Sequence, residues 1–214
     1  KKTVAYDIWR LMNEILGYSN FFVVGHDWGG PTAYALAAAH PDSITKLVIL
    51  DVTIPGCGGD FSEGGRRWHH QFHITLDLPE ALTHGREKVY LGWFYRTFSY
   101  VPNAITEVDI DEYVRTYRQP GAMRAGFSYY RELQKDIEDN KENILRLKLP
   151  MPVLAIGGGV SYPHARGRGT QTEDSLRRVA DNVKGEVFDN CGHFIPEEAP
   201  ERLNKKLLSF FLEK

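Results

Sequence analysis

Three side chains at well-separated positions could together carry out a hydrolysis: Asp27, Asp51 and His193. A carboxylate with an ordinary pKa near ~3.9 is ionised at neutral pH and can attack a saturated carbon, which yields an alkyl ester of the protein. Releasing the product requires a water molecule activated by a histidine, and a third group must orient that histidine. The chain therefore carries the groups for a two-step hydrolysis, provided that its fold brings them together.

Asp27 lies in the segment GHDWGG at residues 25–30, between an apolar run at Phe21–Val24 and an alanine-rich helical pattern at residues 33–39. Glycines between a strand and a helix let the two elements approach closely, while the middle residue takes a strained conformation. We therefore predict a sharp strand-to-helix turn with Asp27 as the nucleophile and the backbone amide of Trp28 as an oxyanion donor. An ordinary βα turn is the alternative.

His193 follows a predicted strand at Glu186–Phe188, so we expect it at the carboxyl edge of the sheet, where such folds bind ligands. This placement favours His193 as the base that activates water. His26 is the rival because it adjoins Asp27, but we interpret His26 as a buried support of the turn.

Composition excludes several classes of function. The 214 residues carry a formal net charge of −2 with no basic run, so we expect no nucleic-acid partner. No stretch approaches the roughly 18 apolar residues of a membrane span. Three histidines lie close together, but no cysteine or carboxylate accompanies them at ligand spacing: His69, His70 and His73. We expect neither a metal nor any other cofactor.

Two short apolar runs, Leu47–Leu50 and Val153–Ile156, are typical of buried parallel strands. The stretch between them shows only helical periodicity and many aromatic residues. Interrupted βα repeats predict an α/β fold with a mostly parallel sheet and helices on both faces. We assign residues 1–59 and 147–214 to this core and residues 60–146 to an inserted helical cap.

The front of the sequence suggests a longer polypeptide. Residues 1–16 have the pattern of an amphipathic helix without an initiator methionine, and the strand at Phe21–Val24 would leave an apolar sheet edge unpaired. We therefore expect strands from outside this numbering to pair with that edge. We expect a cytoplasmic protein, although any signal peptide would lie outside this numbering as well.

These features resemble the aspartate-nucleophile branch of the α/β-hydrolase superfamily, which comprises epoxide hydrolases and haloalkane or haloacetate dehalogenases. The resemblance rests on GHDWGG at residues 25–30, on the helical segment after the next strand, and on CGHF at residues 191–194. It spans essentially the whole chain. The family also has earlier strands and a His-Gly-x-Pro loop that supplies a second oxyanion donor, and neither is in this sequence.

The resemblance implies two possible positions for the acid that orients His193. One is the loop after Val153–Ile156, but residues 157–169 contain no aspartate or glutamate. The other is the end of the strand at Leu47–Leu50, where Asp51 stands. We therefore predict Asp51 as the acid, with Asp60 and Asp189 as alternatives.

The resemblance also implies that cap residues handle the leaving atom. It places His69 and Tyr130 over the nucleophile as hydrogen-bond donors, and ordinary packing of both residues is the alternative. We expect four further cap residues to contact the substrate: Trp68, His70, Phe72 and Tyr129.

These observations are compatible with three alternative functions. The first is hydrolysis of an apolar epoxide. Dehalogenation is the second. Haloacetate enzymes of this branch carry arginine directly after the nucleophile, where this chain has Trp28, and tryptophan where it has His70. Haloalkane dehalogenases, however, share the tryptophan. The third is a non-catalytic binding protein on the same fold. We expect a small apolar molecule as the partner, and the sequence leaves a homodimer open.

Overall fold

A computed structural model describes residues 1–58, 61–146 and 148–213. Helices and strands alternate at both ends of the chain, whereas the middle is helical. The first helix, at Lys2–Trp9, continues as a π-helical segment at Arg10–Ile15. The elements in chain order are α1 (Lys2–Trp9), β1 (Phe21–His26), α2 (Gly29–Ala39), β2 (Ile44–Leu50), α3 (Trp68–Ile74), α4 (Leu78–Thr83), α5 (Glu87–Phe98), α6 (Glu107–Tyr117), α7 (Ala122–Arg131), α8 (Leu133–Arg146), β3 (Val153–Gly158), α9 (Gln171–Leu176), β4 (Val183–Phe188), α10 (Ile195–Glu198) and α11 (Pro200–Leu212).

The strands of the described residues form one parallel sheet in the order β1-β2-β3-β4. Gly25 pairs with Ile49, and Ile49 pairs with Ala155. Because all strands run in one direction, the loops that follow them meet at a single edge. That edge receives Asp27 after β1 and Asp51 after β2.

Both faces of the two central strands are buried along Leu47–Leu50 and Val153–Ile156, which explains these unbroken apolar runs. Leu47 and Ile49 pack with the alanine-rich helix α2. Val48 and Leu50 point to the opposite face and pack with Leu203 and other residues of α11. The period of two along each strand therefore divides the core into two layers.

Helices α3 to α8 lie between β2 and β3, and we call residues 61–146 the helical insertion. Within the described part of this segment no strand interrupts the helices. Helix α6 begins with a capping box, in which Thr106 and Asp109 each accept a bond from the other's backbone amide. The role of the insertion as a cap over the site stays a prediction.

Among the described residues, β1 pairs only with β2 and is an edge strand. Phe22 and Val24, on one face of this strand, remain 47% and 43% exposed. The apolar edge expected from the sequence is therefore present, and its pairing with further strands stays a prediction. None of the helices that the structure describes combines the length and apolar character needed to cross a membrane.

Candidate active site

The turn after β1 holds Asp27 in a strained conformation. Its φ angle is 49°, in the left-handed region that side chains other than glycine rarely adopt. The turn needs glycine beside it, because a Cβ atom on Gly25 would lie 2.4 Å from the carbonyl oxygen of Gly29. The backbone amide of Trp28 donates to Oδ1 of Asp27 at 2.6 Å. Oδ1 is thus bound to the protein, while Oδ2 faces the other catalytic candidates.

The structure brings together the three side chains singled out in the sequence. Nε2 of His193 lies 2.6 Å from Oδ2 of Asp27, and its Nδ1 lies 2.7 Å from Oδ2 of Asp51. The imidazole is almost completely buried. The three side chains thus have the geometry expected of the predicted nucleophile, base and acid of a two-step hydrolysis.

Asp51 is held in one orientation by backbone donors. Its side chain is fully buried, and Oδ1 accepts bonds from the amides of Gly158 at 2.8 Å and Arg168 at 2.6 Å. Of the two alternatives, Asp189 is exposed and Asp60 lies outside the described residues. The geometry therefore favours Asp51 as the partner of His193.

His26 contacts the backbone and the ring of His193. Its Nε2 donates to the carbonyl oxygen of His193 at 2.8 Å, and the two ring centroids lie 4.6 Å apart. Burial, followed by the charge of His193, lowers the pKa of His26 to about 4. At neutral pH His26 is therefore an uncharged donor, in agreement with its interpretation as a buried support.

Asp27 stays ionised in spite of its burial. Burial alone would raise the pKa of its carboxyl, but the hydrogen bond to His193 and the charges of His193 and Arg166 outweigh that cost. The net result is a pKa well below the ordinary range. A carboxylate at this position is ready to attack carbon without first losing a proton.

A cavity of about 590 Å³ lies between this edge of the sheet and the helical insertion. Asp27, Trp28 and His193 line its sheet side, and His69 and Tyr130 lie on the insertion side. The rings of Trp28 and Tyr130 meet edge to face at 4.8 Å, and those of Tyr130 and His69 at 5.8 Å. The two predicted donors thus lie across the cavity from the nucleophile.

Both predicted donors are uncharged at neutral pH. Burial, and then the negative charge of Asp27, raises the pKa of Tyr130, so its hydroxyl keeps its proton. Burial, and then the neighbouring His70, lowers the pKa of His69, so its ring is neutral and can donate one N–H.

The four expected substrate contacts divide into two groups, because Tyr129 lines the cavity and the other three do not. Trp68 packs at 5.5 Å on Trp93, and Phe72 at 5.9 Å on Tyr90. The ring of His70 lies 5.3 Å from that of Tyr130, and its Nδ1 lies 3.1 Å from Oγ of Ser62. That these three residues contact the substrate stays a prediction.

The helical period of α3 explains why His69 lines the cavity and its neighbours Trp68 and His70 do not. Residues four apart share a face, so the cavity face of α3 carries His69 and His73, and the neighbouring face carries Trp68 and Phe72. The same period applied to the sequence would have found His73, whose Nε2 contacts the hydroxyl of Tyr90. Several other lining residues were not predicted to contact the substrate: Tyr90, Phe94, Phe98, Tyr117, Phe127 and Phe194.

Arg166 also escaped the sequence reasoning, although the loop that carries it stood out for its glycines and arginines. Its Nη1 lies 3.2 Å from Oδ2 of Asp27 and 2.6 Å from each ring nitrogen of His193. No motif signals this contact, because it depends on how the loop after β3 folds back over the sheet edge.

Hydrogen bonds join the insertion to the sheet edge beside His193. The carbonyl oxygen of Phe98, at the end of α5, accepts bonds from the amides of His193 at 3.0 Å and Arg166 at 3.3 Å. Close by, Oε2 of Glu198 accepts from the amides of Tyr100 at 2.7 Å and Gly192 at 2.8 Å. His193 therefore depends on the insertion for its position.

Within the part of the chain that the structure describes, no group of three or more histidine, cysteine or acidic side chains is arranged to hold a metal ion.

Known proteins share this architecture. A family model described as the alpha/beta hydrolase fold matches residues 1–200. A soluble epoxide hydrolase from Corynebacterium sp. is 36% identical over 221 residues, which cover 99% of this chain and 73% of that protein. The crystal structure of Cfl2 from Burkholderia cenocepacia is 35% identical with a TM-score of 0.87, over 98% of this chain and 71% of the other. A solved structure of the epoxide hydrolase CorEH without ligand is 34% identical with a TM-score of 0.87, over 98% of this chain and 74% of the other. The chain belongs to the α/β-hydrolase fold family.

Proposed function

We propose that this chain hydrolyses an apolar epoxide to a vicinal diol through an alkyl ester on Asp27. One observation carries the proposal: an ionised carboxylate faces the protonated hydroxyl of Tyr130 across a cavity lined mainly by apolar and aromatic groups. The similarity to a soluble epoxide hydrolase from Corynebacterium sp. supports it.

In the first step Oδ2 of Asp27 attacks an epoxide carbon, and the bond from that carbon to the epoxide oxygen breaks. The electron pair of that bond goes to the oxygen. An alkoxide is a far stronger base than a phenolate, so the oxygen takes a proton from Tyr130, and His69 can donate a second hydrogen bond. The products of this step are a hydroxyalkyl ester on Asp27 and a tyrosinate, which bulk water reprotonates.

In the second step His193 removes a proton from water, and the resulting hydroxide adds to Cγ of Asp27. Asp51 stabilises the imidazolium that forms. Negative charge develops on Oδ1, where the amide of Trp28 already donates at 2.6 Å. The bond between Cγ and Oδ2 then breaks, and Oδ2 leaves as part of the diol after taking a proton from His193.

Dehalogenation is the second candidate, and Trp28 is the observation that favours it. The indole of Trp28 lines the cavity beside the nucleophile, where an N–H group could bind a departing halide. A halide leaves without a proton, however, so the buried and protonated Tyr130 would have no chemical role. The arrangement of donors therefore favours the epoxide.

Trapping the ester tests the proposal. The His193→Gln variant, incubated with styrene oxide, should gain the mass of one substrate molecule on the peptide that contains Asp27, because attack proceeds but water is not activated. The matched control is the double variant with Asp27→Asn, which should stay unmodified.

Two outcomes would overturn the proposal. An unmodified His193→Gln variant, with an epoxide that the unaltered enzyme converts, would exclude the covalent route. Release of bromide from 1-bromobutane, without turnover of any epoxide in the same panel, would establish the dehalogenase instead.

A further inference from the structure

Arg166 touches both reacting groups of the site, yet the two steps described above give it no role. We propose that Arg166 is a catalytic residue of ester cleavage, where it stabilises the negative charge that returns to Oδ2 of Asp27. This inference rests on the proposed function, because it concerns the second step of that reaction.

The position of Arg166 is built into the fold. Its amide donates to the carbonyl oxygen of Phe98, and its guanidinium lies 5.1 Å from the centre of the Phe98 ring. The next residue must be glycine, because a Cβ atom on Gly167 would lie 2.2 Å from the carbonyl oxygen of Gly158. The loop therefore holds the guanidinium at the nucleophile.

The nearby carboxylate of Glu63 is bound by two other arginines, so Asp27 is the anion that Arg166 contacts. The carboxylate of Glu63 already accepts from Arg67 at 2.6 Å and from Arg168 at 2.7 Å, and both of these guanidinium groups are buried. Among the described residues, the only acidic side chain bonded to Arg166 is Asp27, at 3.2 Å. Alkylation of Asp27 removes that negative charge and leaves the guanidinium without an anion.

The two oxygens of Asp27 have different surroundings. The charge of Arg166 therefore acts mainly on Oδ2, and it affects the two steps of the reaction in opposite ways. Oδ1 is bound by the amide of Trp28, whereas Oδ2 faces Arg166. During attack on the epoxide, Oδ2 loses negative charge, so a nearby cation favours the ground state over the transition state. During ester cleavage the electron pair of the bond between Cγ and Oδ2 moves to Oδ2, so the same cation favours the transition state. Arg166 keeps its proton throughout, and His193 supplies the proton that Oδ2 takes.

The consequence is that Arg166 slows formation of the ester and speeds its cleavage. A residue that only holds the loop in place would not affect the two steps in opposite directions. Measuring the two rates separately therefore distinguishes a catalytic role from a structural one.

The test is single-turnover rapid quench with styrene oxide, following the ester on the Asp27 peptide by mass spectrometry. In Arg166→Gln we expect ester cleavage to slow roughly 10- to 100-fold, as for loss of one charged donor at a developing oxyanion. Ester formation should become faster, by about twofold or more. Arg166→Lys retains a charge and should slow cleavage by less than Arg166→Gln. The matched control is Arg177→Gln, whose exposed side chain directly follows α9, and this change should alter neither rate.

Equal slowing of both steps in Arg166→Gln, or no change in ester cleavage, would overturn the inference. If Arg166→Gln does not fold, Arg166→Lys decides the point, since equal slowing of both steps or cleavage at the unaltered rate would again overturn it. Failure of the proposed function looks different, because then neither the unaltered enzyme nor His193→Gln forms an ester with any epoxide.

Discussion

The two walls of the cavity are built by different physical means. On the sheet side, charged groups are fixed by short hydrogen bonds and by close backbone approaches: Asp51 accepts from two buried amides, and a Cβ atom on Gly158 would lie 1.8 Å from the carbonyl oxygen of Gly192. On the insertion side, uncharged rings pack on one another, as Tyr130 does on His73 at 4.3 Å. The sheet side sets distances between atoms, whereas the insertion side sets the shape and polarity of the space.

This difference teaches where each kind of catalytic group can be placed. Ions need backbone donors to offset the cost of burial, and the edge of a parallel sheet offers them. A proton donor needs the opposite environment, since burial is the largest influence on the pKa of both groups and keeps Tyr130 protonated and His69 neutral. Changes that disturb one wall at a time should therefore have separable effects.

The largest expected effect is on the sheet side. Replacing Asp51 by Asn should lower kcat by about 10⁴-fold, because the amide no longer stabilises the imidazolium of His193. The loss should fall on ester cleavage, so the Asp27 ester should accumulate in rapid-quench experiments with styrene oxide. A slowed first step with no accumulated ester would contradict the division of labour between the walls.

Lowering the pH should destabilise the insertion more than the sheet. Burial, followed by neighbouring cationic groups, lowers the pKa of both His70 and His73 to about 3, and burial lowers that of His26, on the sheet side, to about 4. The unfolded chain takes up these protons below its pKa of about 6.5, whereas the folded chain does not, so stability is full above that pH and falls as the pH drops towards 4. At pH 5 the loss is up to about 2 kcal/mol for each histidine.

Hydrogen exchange followed by mass spectrometry at pH 7 and pH 5, corrected for intrinsic rates, checks this. We expect α3 to lose more protection than β2 and β3. Equal loss in both regions would show that the two walls respond to acid as one unit.

Removing one proton donor should have a smaller effect. Tyr130→Phe should slow ester formation by about 100-fold, within the usual range for a general acid, while cleavage of preformed ester stays unchanged. Rapid quench separates the two rates. An equal effect on an alkyl bromide, which needs no proton, would show that the hydroxyl acts through packing and not through donation.

The smallest effects should separate the two faces of α3. His69→Gln, on the cavity face, should slow ester formation by about tenfold, whereas Phe72→Leu, on the other face, should change kcat/KM by less than about twofold. Both variants can be compared with styrene oxide and by their melting temperatures. A larger effect of Phe72→Leu on activity than on stability would place its ring in the path of the substrate.

The sheet side could be predicted from the sequence because its determinants are local. Glycines beside Asp27, and apolar runs that end at Asp51, indicate a turn and a strand end without knowledge of the rest of the fold, although β1 and β2 prove longer than the predicted strands. The insertion side was less predictable because ring packing joins helices far apart in sequence, as between His73 and Phe127. Arg166 could not be predicted, because its contact follows from the path of a loop and not from a motif.

The shared carbonyl of Phe98 bears on how such proteins can be re-engineered. A helical insertion would be the natural segment to exchange when a new substrate is wanted, since it lines one side of the cavity. Here the last residue of α5 also receives the amides of His193 and Arg166. An exchange that moves this carbonyl would shift the base while leaving its sequence intact, so a chimera should keep the end of α5 and vary the helices that follow.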